Sequence, residues 1–167
     1  MTASDYRSLS LTARLAVALR CFASYCDLKD LHHPSIGALL NDLWEFPVID
    51  SQRWDDWENN HPPLVQTALG DDWPEHFEEF LVQHGTNPEQ FRSLISAVVE
   101  IVFSSFYGAA DDELAHRYVS KVLQIVGPLN VNPPPPSLFV ESQFRDRGGW
   151  GRPISLAERD SWRFAEG

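Results

Sequence analysis

Few residues in this chain have the types and spacing that chemistry requires. Glu113 and His116 stand three apart, the spacing with which helical bundles hold a pair of iron ions. Such a site needs a second Glu–His pair and two more carboxylates on facing helices. Glu100 is the one companion, so the spacing predicts a polar helix face and no metal. Glu100 itself sits in the most apolar part of the chain. A carboxylate buried there needs an arginine, a tyrosine or backbone donors as a partner. His32 and His33 precede Pro34 and read as a cap and turn, because adjacent histidines diverge. Ser104 and Ser105 fall inside a predicted helix and lack the nucleophile-elbow pattern. Gly148-Gly149-Trp150-Gly151 lacks the strand-to-helix context of a phosphate loop and reads as a tight turn beside a packed tryptophan. Cys21 and Cys26 are five apart on one predicted helix, a rotation of about 140°, so they diverge and form no disulfide with each other. No catalytic constellation, zinc spacing or cofactor motif results.

The remaining candidate is a binding segment. Trp54, Trp57 and Trp73 stand among Asp50, Asp55, Asp56, Glu58, Asp71, Asp72 and Glu75, with Trp44 just upstream. Tryptophan beside charge is the composition of a binding hot spot and also of the rim of a small helical core. The net charge is −11, and it is uneven. Residues 41–113 hold 16 acids and two bases, or −14; the rest holds eight acids and eleven bases, or +3. Such a surface either keeps the protein soluble or docks a basic partner, and it repels nucleic acid.

The elements that must carry these residues are helices. Residues 87–108 form the predicted central post, capped by Asn87, opened by Pro88 and closed by Gly108. Phe91, Leu94, Ile95, Val98 and Val102 follow one stripe, while Val99, Ile101, Phe103 and Phe106 carry apolar surface round the other sides. A helix of this kind is covered nearly all round. Amphipathic stretches predict further helices at about 10–27, from Pro34 to Pro47, at 51–58, from Pro62 or Pro63 to Leu69, from Pro74 to Gln83, and from Asp111 or Asp112 to Val126. The expected fold class is all-α, a multi-helix bundle in one domain, 1–167, with a helical body over about 9–127. Four consecutive prolines then open a Pro-rich, irregular tail, 128–167, whose aromatics pack back on the body and whose strand content is at most a short hairpin. Arg14 and Arg20 interrupt the apolar stretch near the N-terminus, which reads as an amphipathic helix and not a signal peptide. No run has membrane-spanning length, and the expected location is the cytoplasm.

Two pieces, LHHPSIGALLNDLWEF (31–46) and VEIVFSSFYGA (99–109), together resemble helical immunity proteins encoded beside bacterial polymorphic toxins. The resemblance covers about residues 11–127. It implies a small acidic cytosolic protein, not an enzyme, that binds and neutralises a cognate toxin domain. Toxins acting on nucleic acid, such as nucleases and deaminases, present basic clefts, and an acidic inhibitor can occlude one. The expected contact residues are the acidic and tryptophan set named above. Two other readings stay open. One is a helical adaptor for another protein, including one that acts as a homodimer. The other is an enzyme with a cleft near Glu100, Tyr107 and His116.

Overall fold

The computed structural model describes residues 1–165, and among them there are eight α-helices and no strand. They are α1 (Leu11–Leu28), α2 (Pro34–Glu45), α3 (Trp54–Asn59), α4 (Pro63–Ala68), α5 (Phe77–Gln83), α6 (Pro88–Phe103), α7 (Asp112–Val126) and α8 (Leu156–Phe164). Their starts follow local chemistry. The Ser10 side chain accepts from the Ala13 N–H, Asn87 from Gln90, and Asp111 from Leu114, each satisfying a donor that the first turn leaves free. His33 caps α2 through Nδ1, 3.1 Å from the Ser35 N–H, and its ring rests on Phe77 and Phe80.

The long apolar helix α6 packs against α1, α4, α5 and α7. It shares the centre with α1, in which every residue from Leu11 to Leu19 is buried. Phe22 and Tyr25 of α1 meet Phe91 of α6, which also meets Phe77 of α5. Cys21 and Cys26 are both buried and free, and burial pushes the Cys21 thiol up to about 12.

Three boundaries differ from the sequence expectation. The central helix stops at Phe103, one turn before Gly108. Ser104 turns its hydroxyl back onto the Glu100 carbonyl, and the Ser105 hydroxyl accepts the Asp111 N–H, which draws the chain towards α7. The helix expected from Pro74 begins only at Phe77, because His76 takes a left-handed conformation with φ 62°. The helix expected from Ser51 begins at Trp54; Asp50 instead caps a turn, its Oδ1 accepting from the Gln52 and Arg53 N–H groups.

The tail packs back on the body, as its aromatics imply, but it is less irregular than expected. Tyr6 donates to the Pro134 carbonyl at 2.8 Å, and Phe139 is buried edge-on against Trp162. Among the described residues the tail forms no hairpin; its one β contact is an isolated antiparallel bridge from Gln143 to Leu9 of the N-terminal segment. The unexpected helix is α8, begun by a capping box in which Ser155 and Glu158 satisfy each other's backbone N–H groups. Arg20 holds its far end by donating to the Trp162 and Ala165 carbonyls.

The arginine that interrupts α1 does not break it. Arg14 is 1% exposed. Its Nε donates to the Leu9 carbonyl at 2.9 Å, Nη1 to the Asp112 carbonyl at 3.3 Å, and Nη2 to the Arg7 carbonyl and to Asp112 Oδ1, the last at 2.6 Å. The guanidinium also lies 5.2 Å from the centre of the Phe144 ring. One side chain therefore ties the N-terminal segment, α1, α7 and the tail together.

Candidate functional site

The acidic segment occupies short elements between the two long helices α2 and α6. Helices of six or seven residues cannot bury much on their own: α5 is held by the Phe77 and Phe80 rings, while α3 and the 70–74 turn are pinned by polar contacts. For α3 the pin is Asp42 of α2. Its carbonyl accepts the Trp57 indole N–H at 3.0 Å, and its carboxylate lies 2.9 Å from His61 Nδ1. The His61 ring meets Trp57 edge-on at 4.6 Å and Phe103 at 5.0 Å. For the turn at 70–74 the pin is Arg92 of α6. It donates to the Thr67 and Asp71 carbonyls and lays its guanidinium 4.5 Å from the centre of the Trp73 ring.

The candidate contact residues divide accordingly. Trp57 is buried and holds α3 on α2, which takes it out of any exposed surface. Trp44, noted beside the set, is buried as well. Glu58 is half-buried and accepts the Tyr107 hydroxyl. Asp50 is exposed but its carboxylate serves its own turn and Arg53. Asp55, Asp56, Asp71, Asp72 and Glu75 are exposed. Trp54 and Trp73 are half-buried, and the Trp73 ring is stacked on Phe77 as well as covered by Arg92.

These residues do not share one concavity. Trp54 and Asp50 line an open cleft of about 840 Å³ whose other walls come from Phe46, Phe106, Trp150 and Arg147. Asp71, Asp72 and Trp73 line a second, acidic concavity of about 510 Å³. Trp73 also borders a third, of about 580 Å³, with Glu75, Glu78, Glu79 and Val82. Among the described residues, none of Asp55, Asp56, Asp71 and Asp72 is in an ion pair; the pairs nearby involve Asp50, Glu75 and Glu79.

The residues of the enzymatic reading stay apart. Glu113 is held by Arg7 at 2.6 Å, so it is not free to bind a metal with His116. Glu100 is half-buried, and burial raises its pKa; among the described residues no arginine, tyrosine or backbone donor hydrogen-bonds its carboxylate, contrary to expectation. Tyr107 is 90% exposed, and His116 is half-buried with Nδ1 lacking a partner. None of the three lines any of the concavities described above. Among the described residues no three His, Cys, Asp or Glu side chains lie close enough to hold a metal ion. No described helix is long and apolar enough to cross a membrane.

Sequence reasoning missed the cleft, because its walls come from 46–54, 106 and 147–154 and no local signal joins them. It also missed Asp42 and Arg92 as the pins of the acidic segment. The signal available for Arg92 was its isolation, as one of two bases among 73 residues from Asn41 to Glu113. Comparison with protein-family models, curated proteins and solved structures finds no match to this chain.

Proposed function

We propose that the chain is a stoichiometric protein inhibitor of the immunity class, neutralising a cognate toxin domain in the bacterial cytoplasm and catalysing nothing itself. The observation that carries this reading is the state of its carboxylates. Asp55, Asp56, Asp71 and Asp72 stand in solvent without a cation, on short elements that are rigidly pinned, and beside the half-exposed Trp54 and Trp73. Uncompensated surface charge of one sign steers a partner of the other sign, and a partly exposed tryptophan already fixed by its neighbours is an anchor at low entropic cost. The partner is a domain with a basic cleft, as in enzymes that act on nucleic acid. Occluding that cleft excludes the substrate without any chemistry by the inhibitor.

The test begins with the product of the gene immediately upstream. It should co-purify with this chain one-to-one, and co-expression should rescue cells from its toxicity. Two double variants then divide the surface, Asp55→Asn/Asp56→Asn and Asp71→Asn/Asp72→Asn. None of the four carboxylates is in an ion pair, so folding should be retained. At least one double variant should slow association several-fold and flatten its salt dependence, with dissociation little changed. Association and salt dependence unaffected by either change would remove the electrostatic mechanism. Absence of both binding and rescue would remove the inhibitor reading.

A further inference from the structure

The cleft beside α3 has a composition that the acidic surface does not explain. Its wall is a run of rings: Phe46 meets Trp54, Phe106 and Trp150 at centroid distances of 6.3, 5.6 and 5.9 Å. Trp54 meets Phe106 at 5.3 Å, and Phe106 lies nearly parallel to Trp150 at 6.0 Å. All four rings are half-buried, so the wall is packed from behind and open in front. A cleft of about 840 Å³ is of the size that takes a small organic ligand.

Its charged residues are not equivalent. Asp50 is engaged by its own turn and by Arg53 at 3.7 Å. Arg152 is engaged by Glu158 at 2.5 Å and by the Glu141 and Pro153 carbonyls. Arg147 is exposed, and among the described residues its side chain makes no hydrogen bond or ion pair. Arg53 is shared between Asp50 and Glu45, so among the described residues Arg147 is the charged group lining the cleft that has no partner of its own.

Arg147 is also held in place at a conformational cost. Its φ is 48°, and Gly148, Gly149 and Gly151 after it have φ of 63°, 101° and 83°. The loop is not loose. The Asp146 carbonyl accepts both the Gly149 and Gly151 N–H groups, and the Thr12 hydroxyl donates to the Trp150 carbonyl at 2.7 Å. A Cβ on Gly149 or Gly151 would collide with Ala110 and Phe144, or with Ser142 and Ser10. Three of the four left-handed positions are glycine, which accepts that conformation freely; the fourth is an arginine, which does not. Strain of this kind persists where the surroundings impose it, and it clusters at binding sites.

We infer that this cleft binds a small planar aromatic anion, a ring system carrying one carboxylate, sulfonate or phosphate. The ring lies against Trp54, Phe106 and Trp150, and the anionic group meets the Arg147 guanidinium. The three components of that chemistry are each present: an aromatic face open on one side, a single uncompensated cation at its edge, and a rigid loop fixing their separation. Arginine suits both parts, since its planar guanidinium pairs with oxyanions and stacks on rings. The inference does not depend on the inhibitor reading, and it involves a different rim from the acidic concavities around Trp73.

The probe is 2-naphthoate, with the neutral 2-naphthalenemethanol as its isostere, titrated into nitrogen-15-labelled protein and followed at the indole N–H resonances. Single Trp→Phe variants assign the six tryptophans. The expected result is saturable movement of the Trp54 and Trp150 signals with Trp73 and Trp162 unmoved. A charge-assisted contact at a partly exposed site makes the neutral isostere about ten-fold weaker. Arg147→Gly, a substitution suited to the left-handed backbone, should weaken 2-naphthoate about ten-fold, while Arg147→Lys, which keeps the charge but not the planar fork, should fall between the two. Equal binding of the two probes to the unaltered protein would overturn the inference, whatever the variants do. So would non-saturable shifts spread over all tryptophans, or a folded Arg147→Gly protein that binds 2-naphthoate undiminished.

Discussion

Replacing Arg14 by methionine tests how the long helices are locked together. The side chain is 1% exposed, so the substitution removes a buried charge and four hydrogen bonds at once. Methionine keeps much of the volume and sets a thioether towards Phe144 in place of the guanidinium, so the loss falls on the charged and polar groups. Of the four acceptors, the Asp112 carbonyl remains within α7, and Asp112 Oδ2 keeps Arg7 at 3.0 Å and is one-third exposed. The Arg7 carbonyl belongs to an exposed residue and can take up water. The Leu9 carbonyl belongs to a residue 1% exposed and is left without a donor. An orphaned buried acceptor costs about 1–3 kcal/mol, and breaking a wholly buried ion pair costs about 3–5. Because Asp112 is partly exposed and retains both Arg7 and water, its lost pair costs less than that range, about 2 kcal/mol, and with the orphaned carbonyl the total is about 3 kcal/mol. With a urea slope of about 2 kcal/mol per molar, the midpoint of unfolding drops by roughly 1.5 M. Arg7→Met is the control. It breaks pairs to Asp112 and Glu113 that are largely exposed, for which less than about 1 kcal/mol and 0.5 M are expected. Equal shifts for the two variants, or an Arg14→Met midpoint within about 0.5 M of the unaltered protein, would refute the reasoning.

The same network predicts a pH dependence. Burial disfavours the Asp112 charge, but the hydrogen bonds from Arg14 and Arg7 outweigh it and hold the carboxyl below its ordinary range. A carboxyl depressed on folding contributes stability above its unfolded pKa of about 3.9 and loses it as pH falls through the folded value. The stability difference between the unaltered protein and Asp112→Asn, measured by urea unfolding, should therefore be constant from about pH 5 to 8 and shrink below about pH 4. A difference unchanged down to pH 2.5, on the order of a unit below the unfolded pKa, would contradict the pairing. Gly151→Ala should destabilise by about 2–4 kcal/mol, the sum of a left-handed alanine and an overpacked contact. Its Cβ would lie 2.4 Å from the Ser142 hydroxyl and 2.7 Å from Ser10 at φ 83°. Gly148→Ala, with φ 63° and nothing within 4 Å of the added carbon, should cost about 1–2 kcal/mol, so equal urea midpoints for the two would count against the close approach.

What could be read directly from the chain was what neighbouring residues decide together. Ser10, Pro34, Asn87 and Asp111 begin helices because each satisfies or removes a donor within three positions of itself. The start of α8 was legible by the same rule, in Ser155 and Glu158, although arginines and aromatics around it gave no clear apolar stripe. Arg14 was not legible, because the carboxylate that makes its burial tolerable lies 98 residues away. Trp57 misleads for a related reason. Acidic neighbours imply exposure, but a six-residue helix has one face to bury, and Trp57 is that face, bonded to a carbonyl 15 residues earlier. The aromatic cleft fails the same test on a larger scale, since its walls meet only after the tail has folded back.

The fold also accounts for why the candidate surface is more acidic than the composition alone requires. The protein has thirteen lysines and arginines. Eight of them, Arg7, Arg14, Arg20, Arg53, Arg92, Arg152, Arg159 and Arg163, are tied to carbonyls, amides or carboxylates of the chain itself. Several of these bonds join elements far apart in sequence: Arg20 to the end of α8, Arg159 to Glu45, Arg163 to Asn41. Cations are thus used inward, as staples for a chain with many short helices and an extended tail. Asp55, Asp56, Asp71 and Asp72 receive no such staple and remain in water. Neither α4 nor α5, the helices on either side of Asp71 and Asp72, contains an arginine or lysine. Arg92, which reaches the Asp71 backbone, turns to the Thr67 and Asp71 carbonyls and to the face of Trp73, and Arg53, beside Asp55 and Asp56, turns to Glu45 and Asp50. Holding the loop through its backbone fixes the position of Asp71 while leaving its carboxylate uncompensated. Fixed like charges repel, and the docking of a basic partner proposed above would bring the counter-charge that the chain itself does not supply.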